Sequence, residues 1–167
     1  MYPKVVEEIQ NVATQAKEGG YGDAVARSLL SALAELYQFA SWTAFDAGRL
    51  PQAGKLAQAA TSTANQAGNQ TLAATALSEL SYITASSANP REGVAMAHAS
   101  LANAPRDALP AVRVVLADRL AWASARTGDA AGLDRALRRC ETSWPPTRRK
   151  PKGEVVAEHC PTRVRTP

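Results

Sequence analysis

The stretches WTAFDAG at residues 42–48 and WASARTG at residues 122–128 decide the fold, because both repeat the same spacing from an aromatic residue to a glycine. Tyr82 stands midway between their tryptophans, so an aromatic residue recurs every forty positions. Six residues after Tyr82 comes Ala88, which is directly followed by an Asn-Pro pair, so a chain-breaking position recurs in the same register. Self-similarity at a fixed period of this length is typical of helical-repeat proteins.

Start and stop signals divide each unit into two helices. Asp23 and Asn89 are predicted N-caps, Pro51 and Pro90 are first-turn prolines, and glycines such as Gly48 are predicted helix stops. The six predicted helices span 24–47, 51–67, 71–86, 90–103, 110–126 and 130–142, which make pairs at 24–67, 71–103 and 110–142 behind a capping helix at 3–17.

The composition favours an all-α fold. The chain contains 35 alanines but only 5% aromatic residues, so its apolar content is mostly small and helix-favouring. A lone helix hairpin cannot bury its own apolar face, so neighbouring pairs must stack. We therefore predict antiparallel helix pairs stacked as a right-handed solenoid over residues 1–142.

Charge separates the predicted domain from a tail. Residues 1–143 carry thirteen basic and thirteen acidic side chains, whereas the remainder carries six basic and two acidic ones. Residues 143–167 are rich in proline and are predicted to be a basic disordered tail. A neutral body argues against direct nucleic-acid binding, which leaves only a weak contact through the tail. No apolar run is long enough to span a membrane, so a cytoplasmic protein is expected.

Two resemblances follow from these residues. The stretches at 42–48, with Ala53, and at 122–128, with Asp129, resemble tetratricopeptide repeats. The wider run 35–139 is similar to the C-terminal sensor region of actinobacterial helix-turn-helix transcriptional regulators. The segments that carry this second resemblance are YQFASW at 37–42, DAGR at 46–49 and NPREGV at 89–94.

The resemblance implies a sensor that binds a peptide or protein partner, or a small-molecule effector, and changes the behaviour of a DNA-binding domain. The first twenty residues hold one predicted helix, which is too little for a helix-turn-helix domain. We therefore expect a sensor module without a DNA-binding domain of its own. The alternative is a structural scaffold or oligomerisation module with no effector, for which a homodimer is the simplest form.

The predicted ligand groove follows the aromatic row. Trp42, Tyr82 and Trp122 each lie four residues after a polar residue, which places a ring and a polar group on the same face of a first helix. First helices line the concave side of such arrays, and Glu79, Arg119 and Glu35 are expected to tune the charge at its margin. The groove candidates are Gln38, Trp42, Ser78, Glu79, Tyr82, Asp118, Arg119 and Trp122. A role of the three rings as space-filling groups between helices remains open.

No catalytic site, metal site or cofactor-binding motif is predicted, so the chain is not expected to be an enzyme. His98 and His159 are the two histidines, and their separation excludes a helical metal-binding pair. Carboxylates are expected at solvent-facing positions, and the nearest pair, Glu7 and Glu8, does not converge on a helix. Cys140 and Cys160 are expected to be free thiols.

Overall fold

The computed structural model describes residues 2–87 and 89–144, and these residues form seven α-helices and no β-strand. The helices are α1 (Tyr2–Glu18), α2 (Asp23–Asp46), α3 (Leu50–Gln66), α4 (Gln70–Ser86), α5 (Pro90–Asn103), α6 (Pro110–Thr127) and α7 (Ala130–Ser143). The predicted all-α class is confirmed. The predicted turn position at Ala88, most of the predicted tail, His159 and Cys160 lie outside the described residues.

Three glycines end helices as their sequence positions suggest. Gly48, Gly68 and Gly128 have φ values of 72°, 69° and 75°, in the left-handed region where glycine carries no steric penalty. Each glycine reverses the chain, so the next helix begins within two residues. Gly48 and Gly128 follow the first helices of their pairs and stand two forty-residue periods apart, whereas Gly68 follows the second helix of the first pair.

Side chains cap the backbone at the starts of α4 and α7. Asn69 and Asp129 accept hydrogen bonds from the backbone N–H three residues later, at 3.1 and 2.8 Å. The prediction for Asp23 is wrong, because Gly22 occupies the cap position and Asp23 is the first helical residue. Asn89 does occupy a cap position, but its side-chain amide donates to the Glu92 carboxylate at 2.6 Å instead of capping the backbone.

Each helix packs against the next one in the chain, and the first helices of the three pairs also pack side by side, α2 on α4 and α4 on α6. The buried side chains are mostly alanine, as in the cluster of Ala44, Ala53 and Ala57 with Leu80 and Ile83. Small side chains let helix backbones approach closely. None of the described helices is both long and apolar enough to cross a bilayer.

Buried hydroxyl groups tie neighbouring helices together. Ser41 of α2 donates to the backbone carbonyl of Ala53 in α3 at 3.1 Å, and Ser100 of α5 donates to that of Ala74 in α4 at 2.9 Å. Both serines are completely buried, so these bonds satisfy groups that water cannot reach. They also set the distance between the paired helices.

Helices α4 and α5 approach each other closely at Gly93. A Cβ atom at this position would stand 2.8 Å from the carbonyl oxygen of Ser81 and 2.7 Å from the Cβ of Ala85. Since one of these atoms belongs to a helix backbone, only a shift of a whole helix would relieve the overlap. Gly93 is therefore required by packing and not by backbone conformation.

Gly93→Ala is expected to lower the free energy of unfolding by roughly 1–3 kcal/mol, which is typical of overpacking a buried site. Gly54→Ala is the matched control, because Gly54 lies inside α3 and a Cβ there meets no atom within 4 Å. This control should raise stability by up to about 1 kcal/mol through helix propensity. Urea unfolding followed by circular dichroism measures both, and equal effects of the two substitutions would refute the packing account.

Candidate functional site

The first helices α2, α4 and α6 share one open face. A cleft lies at the end of this face where the three helices begin. Its volume is about 1020 Å³, and its walls come from the start of each of the three helices and from the loop before α6. Arg27, Ser31 and Glu35 of α2 line it, with Thr71 of α4 and Val112 of α6 opposite. Spacings of three and four residues keep these α2 side chains on one side of the helix.

The same face continues from the cleft to the aromatic row. Trp42 follows Glu35 by seven residues, which is two helical turns or about 10 Å along α2. Spacings of three and four residues likewise place four side chains on one side of α6: Val112, Val115, Arg119 and Trp122. The cleft and the aromatic row are therefore two parts of one surface, which we call the groove face.

The three predicted aromatics are in direct contact across three helices. The ring centroids of Trp42 and Tyr82 lie 5.5 Å apart, and those of Tyr82 and Trp122 lie 5.2 Å apart. Phe45 joins the row at 5.8 Å from Trp42 and 5.4 Å from Tyr82. Trp42 and Tyr82 are half-buried, whereas Trp122 is 39% exposed. The row thus both fills space between helices and presents a ring to solvent.

Arg119 stacks on the row. Its guanidinium carbon lies 4.5 Å from the ring centre of Tyr82 and 5.1 Å from that of Trp42. Contacts of this kind contribute about 0.5–2 kcal/mol, more where water is excluded. Asp118 pairs with the same guanidinium at 3.4 Å, and the Arg119 side chain is 23% exposed. The expected position of Arg119 at the groove margin is wrong, because the rings hold it over the centre of the row.

Glu79 is buried beneath the row, with 3% of its surface exposed. One carboxyl oxygen accepts from the Gln38 amide at 3.4 Å, and the other has no hydrogen-bond partner among the described residues. The nearby Ser41 hydroxyl donates its proton to Ala53. The sequence predicts that carboxylates face solvent and that Glu79 lies at the groove margin. Both predictions are wrong for Glu79, since α2 and α6 cover this side chain.

The surroundings of Glu79 raise the pKa of its carboxyl group from its ordinary 4.5 to about 7. Burial is the main cause, because it penalises the charged form. The nearby Ser41 hydroxyl, the hydrogen bond from Gln38 and the positive charge of Arg119 lower the pKa but do not cancel the effect of burial. Glu79 therefore changes charge near neutral pH.

The remaining candidates lie in different settings. Ser78 is buried, and its hydroxyl donates to the carbonyl of Thr75 at 2.7 Å, so it does not face the groove. Asp118 is exposed and Gln38 is half-buried. The structure thus brings six of the eight predicted residues into one cluster, adds Asp118 at its edge and leaves Ser78 outside it.

Sequence reasoning missed three contributors to the groove face. Phe39 is exposed one turn before Trp42, and Phe45 packs on the row one turn after it. Ser86 accepts a hydrogen bond from the indole nitrogen of Trp122 at 3.2 Å, which fixes the orientation of that ring. The helical spacing of Phe39 and Phe45 from Trp42 was the signal for the first two, whereas no sequence pattern pointed to Ser86.

Comparison with models of known protein families finds no match, and comparison with characterised proteins finds no significantly similar sequence.

The raised pKa of Glu79 predicts a specific pH dependence of stability. An acid with a higher pKa in the folded state destabilises the fold as pH rises from its unfolded value, near 4.5, to its folded value, about 7. Glu79→Gln removes this penalty. The free energy of unfolding of the variant minus that of the unaltered chain should increase by about 3 kcal/mol as pH rises through this window. Above the window the difference should stay constant.

Urea unfolding at half-unit pH intervals measures this difference. The pH range from about 4 to 8.5 extends beyond both pKa values. Glu35→Gln removes a charge from the exposed part of the groove face and serves as the matched control. A constant difference between Glu79→Gln and the unaltered chain across the window would show that the carboxyl group is not destabilised by burial.

Proposed function

We propose that this chain is a tetratricopeptide-like array of stacked helix pairs that binds a peptide or protein partner along its groove face. The pairwise packing of consecutive helices and the side-by-side packing of α2, α4 and α6 support a stacked array of this kind. In such arrays the first helices line the concave surface, and this surface is where extended ligands bind.

The observation that carries the proposal is the exposed apolar stripe beside the cleft. The exposed large apolar side chains on or next to the first helices include Phe39, Leu109, Val115 and Trp122. Exposed apolar patches rimmed by polar residues mark interaction surfaces, and aromatic residues are enriched at the centre of protein interfaces. The polar cleft next to the stripe supplies hydrogen-bonding groups such as Ser31 and Thr71.

The regulatory part of the proposal rests on the resemblance to sensor regions of helix-turn-helix regulators. In that role the array detects a peptide, a protein or a small-molecule effector in the cytoplasm and alters the behaviour of a DNA-binding domain. The balanced charge of residues 1–143 fits a module that reads a protein surface and not a nucleic acid.

A scaffold or oligomerisation module is the second candidate, and one observation favours it. Helix α7 packs against α6 and against no other described helix. Leu137 on α7 and Trp144 just after it are exposed. A homodimer that covers this end of the array would bury both side chains.

A peptide-display selection with random twelve-residue peptides tests the binding proposal. Selected peptides should bind Trp122→Ala at least 10-fold more weakly than the unaltered chain, because Trp122 is the exposed ring of the groove face. Trp144→Ala is the matched control, since Trp144 is 52% exposed but lies outside the groove face, and it should leave binding unchanged. Circular dichroism verifies that both variants are folded.

Two outcomes would contradict the binding proposal. One is selection of no peptide, and the other is equal binding of selected peptides to the Trp122 and Trp144 variants. Sedimentation of the chain at several concentrations tests the scaffold candidate. Self-association that is lost on dilution and abolished by Trp144→Ala supports that candidate, and a monomer at all concentrations removes it.

A further inference from the structure

The centre of the groove face holds a carboxyl group, two aromatic rings and a cation in one cluster. Glu79 lies one turn before Tyr82 on α4, and it accepts a hydrogen bond from Gln38, which lies one turn before Trp42 on α2. Both residues of this hydrogen bond therefore lie one turn before a ring of the row along their own helices. Arg119 supplies the cation, and its guanidinium carbon lies within 5.1 Å of both ring centres.

These groups are the parts of a receptor for a guanidinium group. Aromatic faces attract a cation through their electron-rich surfaces, and a buried carboxylate forms its strongest hydrogen bonds with a bidentate donor. The Arg119 guanidinium stacks on the rings, but it donates no hydrogen bond to the unpartnered Glu79 oxygen. That oxygen is shielded from water and has no partner among the described residues.

We propose that Trp42, Tyr82 and Glu79 form a binding site for an arginine side chain of the partner, and that Arg119 occupies this site until the partner displaces it. The proposal rests on the peptide-binding function proposed above and names the chemistry of its central contact. Arginine fits better than lysine, because the planar guanidinium stacks on a ring and also pairs with a carboxylate.

Arg119 is held in a way that allows displacement. Among the described residues its ion pair is with Asp118, its neighbour in sequence, whose side chain is 62% exposed. When Arg119 leaves the rings, this pair can be kept in solvent, so the cation does not lose its counter-charge. The site itself then gains a ligand that can donate to Glu79, which Arg119 does not.

The repeat register supports a role beyond packing. Phe39, Glu79 and Arg119 occupy the same position in three successive forty-residue units. If this position served only to fill space, apolar side chains would suffice at all three places. Instead two of the three positions carry opposite charges, and one of these charges is buried next to the rings. Burying a carboxyl group costs stability, so binding is the simpler reason for its presence here.

Removing Arg119 should open the site to an added ligand. The Arg119→Ala variant is titrated at pH 8 with Nα-acetyl-arginine methylamide, and binding is followed by tryptophan fluorescence and by NMR. We expect saturable binding at least 10-fold tighter than to the unaltered chain. Nα-acetyl-norleucine methylamide, which keeps the aliphatic chain without the charge, should not bind. In the double variant with Glu79→Gln the affinity for the arginine derivative should fall at least 10-fold.

Three results would overturn the proposal: no saturable binding to Arg119→Ala, equal binding of the norleucine derivative, or no effect of Glu79→Gln. Circular dichroism first establishes that each variant is folded. If Arg119→Ala does not fold, the unaltered chain provides the test. The side-chain Nε–H signal of Arg119, shifted by the ring currents of Trp42 and Tyr82, should move toward its ordinary position as the arginine derivative is added. A signal that stays in place overturns the proposal.

The two proposals fail separately. Peptides that bind the groove face while the arginine derivative does not bind Arg119→Ala would leave the proposed function intact and remove the arginine site. Binding of the arginine derivative without selection of any peptide would support the arginine site and contradict the wider binding function.

Discussion

Close approach of helices through small side chains is the constraint on which this structure depends. Alanine, glycine and serine line most of the helix interfaces, and each of them buries little apolar area. Stability therefore comes from many short contacts spread along the array and not from one bulky core. The contact at Gly93 is the extreme case, because even one additional carbon would collide with the backbone of the neighbouring helix.

The close packing of the helices leaves space for the large aromatic rings on the groove face. Trp42, Tyr82 and Trp122 stand on the groove face and touch one another across three successive first helices. The same contacts that align the helix pairs also create an aromatic surface at the centre of the face. Trp42 and Tyr82 are half-buried, so their packing and their proposed binding role are not separable, whereas Trp122 is more exposed and belongs mainly to the surface.

The charges at the centre of the face work against stability, and under the proposed function they serve recognition. Glu79 is covered by neighbouring helices, and the pKa of its carboxyl group is raised mainly by burial. Arg119 offsets part of this cost through its charge, but its guanidinium is held by ring faces and by Asp118. A buried carboxyl with an unused oxygen is unusual in a fold whose other buried polar groups are mostly serine hydroxyls bonded to backbone carbonyls. We interpret the cluster as the point where the fold is adapted to a ligand.

The sequence by itself determined the helices, their order and the register of the aromatic row. These depend on local signals, namely glycine at left-handed turns, proline in first turns and a forty-residue period, and such signals act within a few residues. Only the tertiary structure decided which carboxylate is buried. Glu35 and Glu79 both lie on first helices before an aromatic residue, yet Glu35 is exposed and Glu79 is covered, because the neighbours of α4 lie on both sides of it. The stacking of Arg119 on rings from two other helices likewise depends on distances across the array, which no local pattern records.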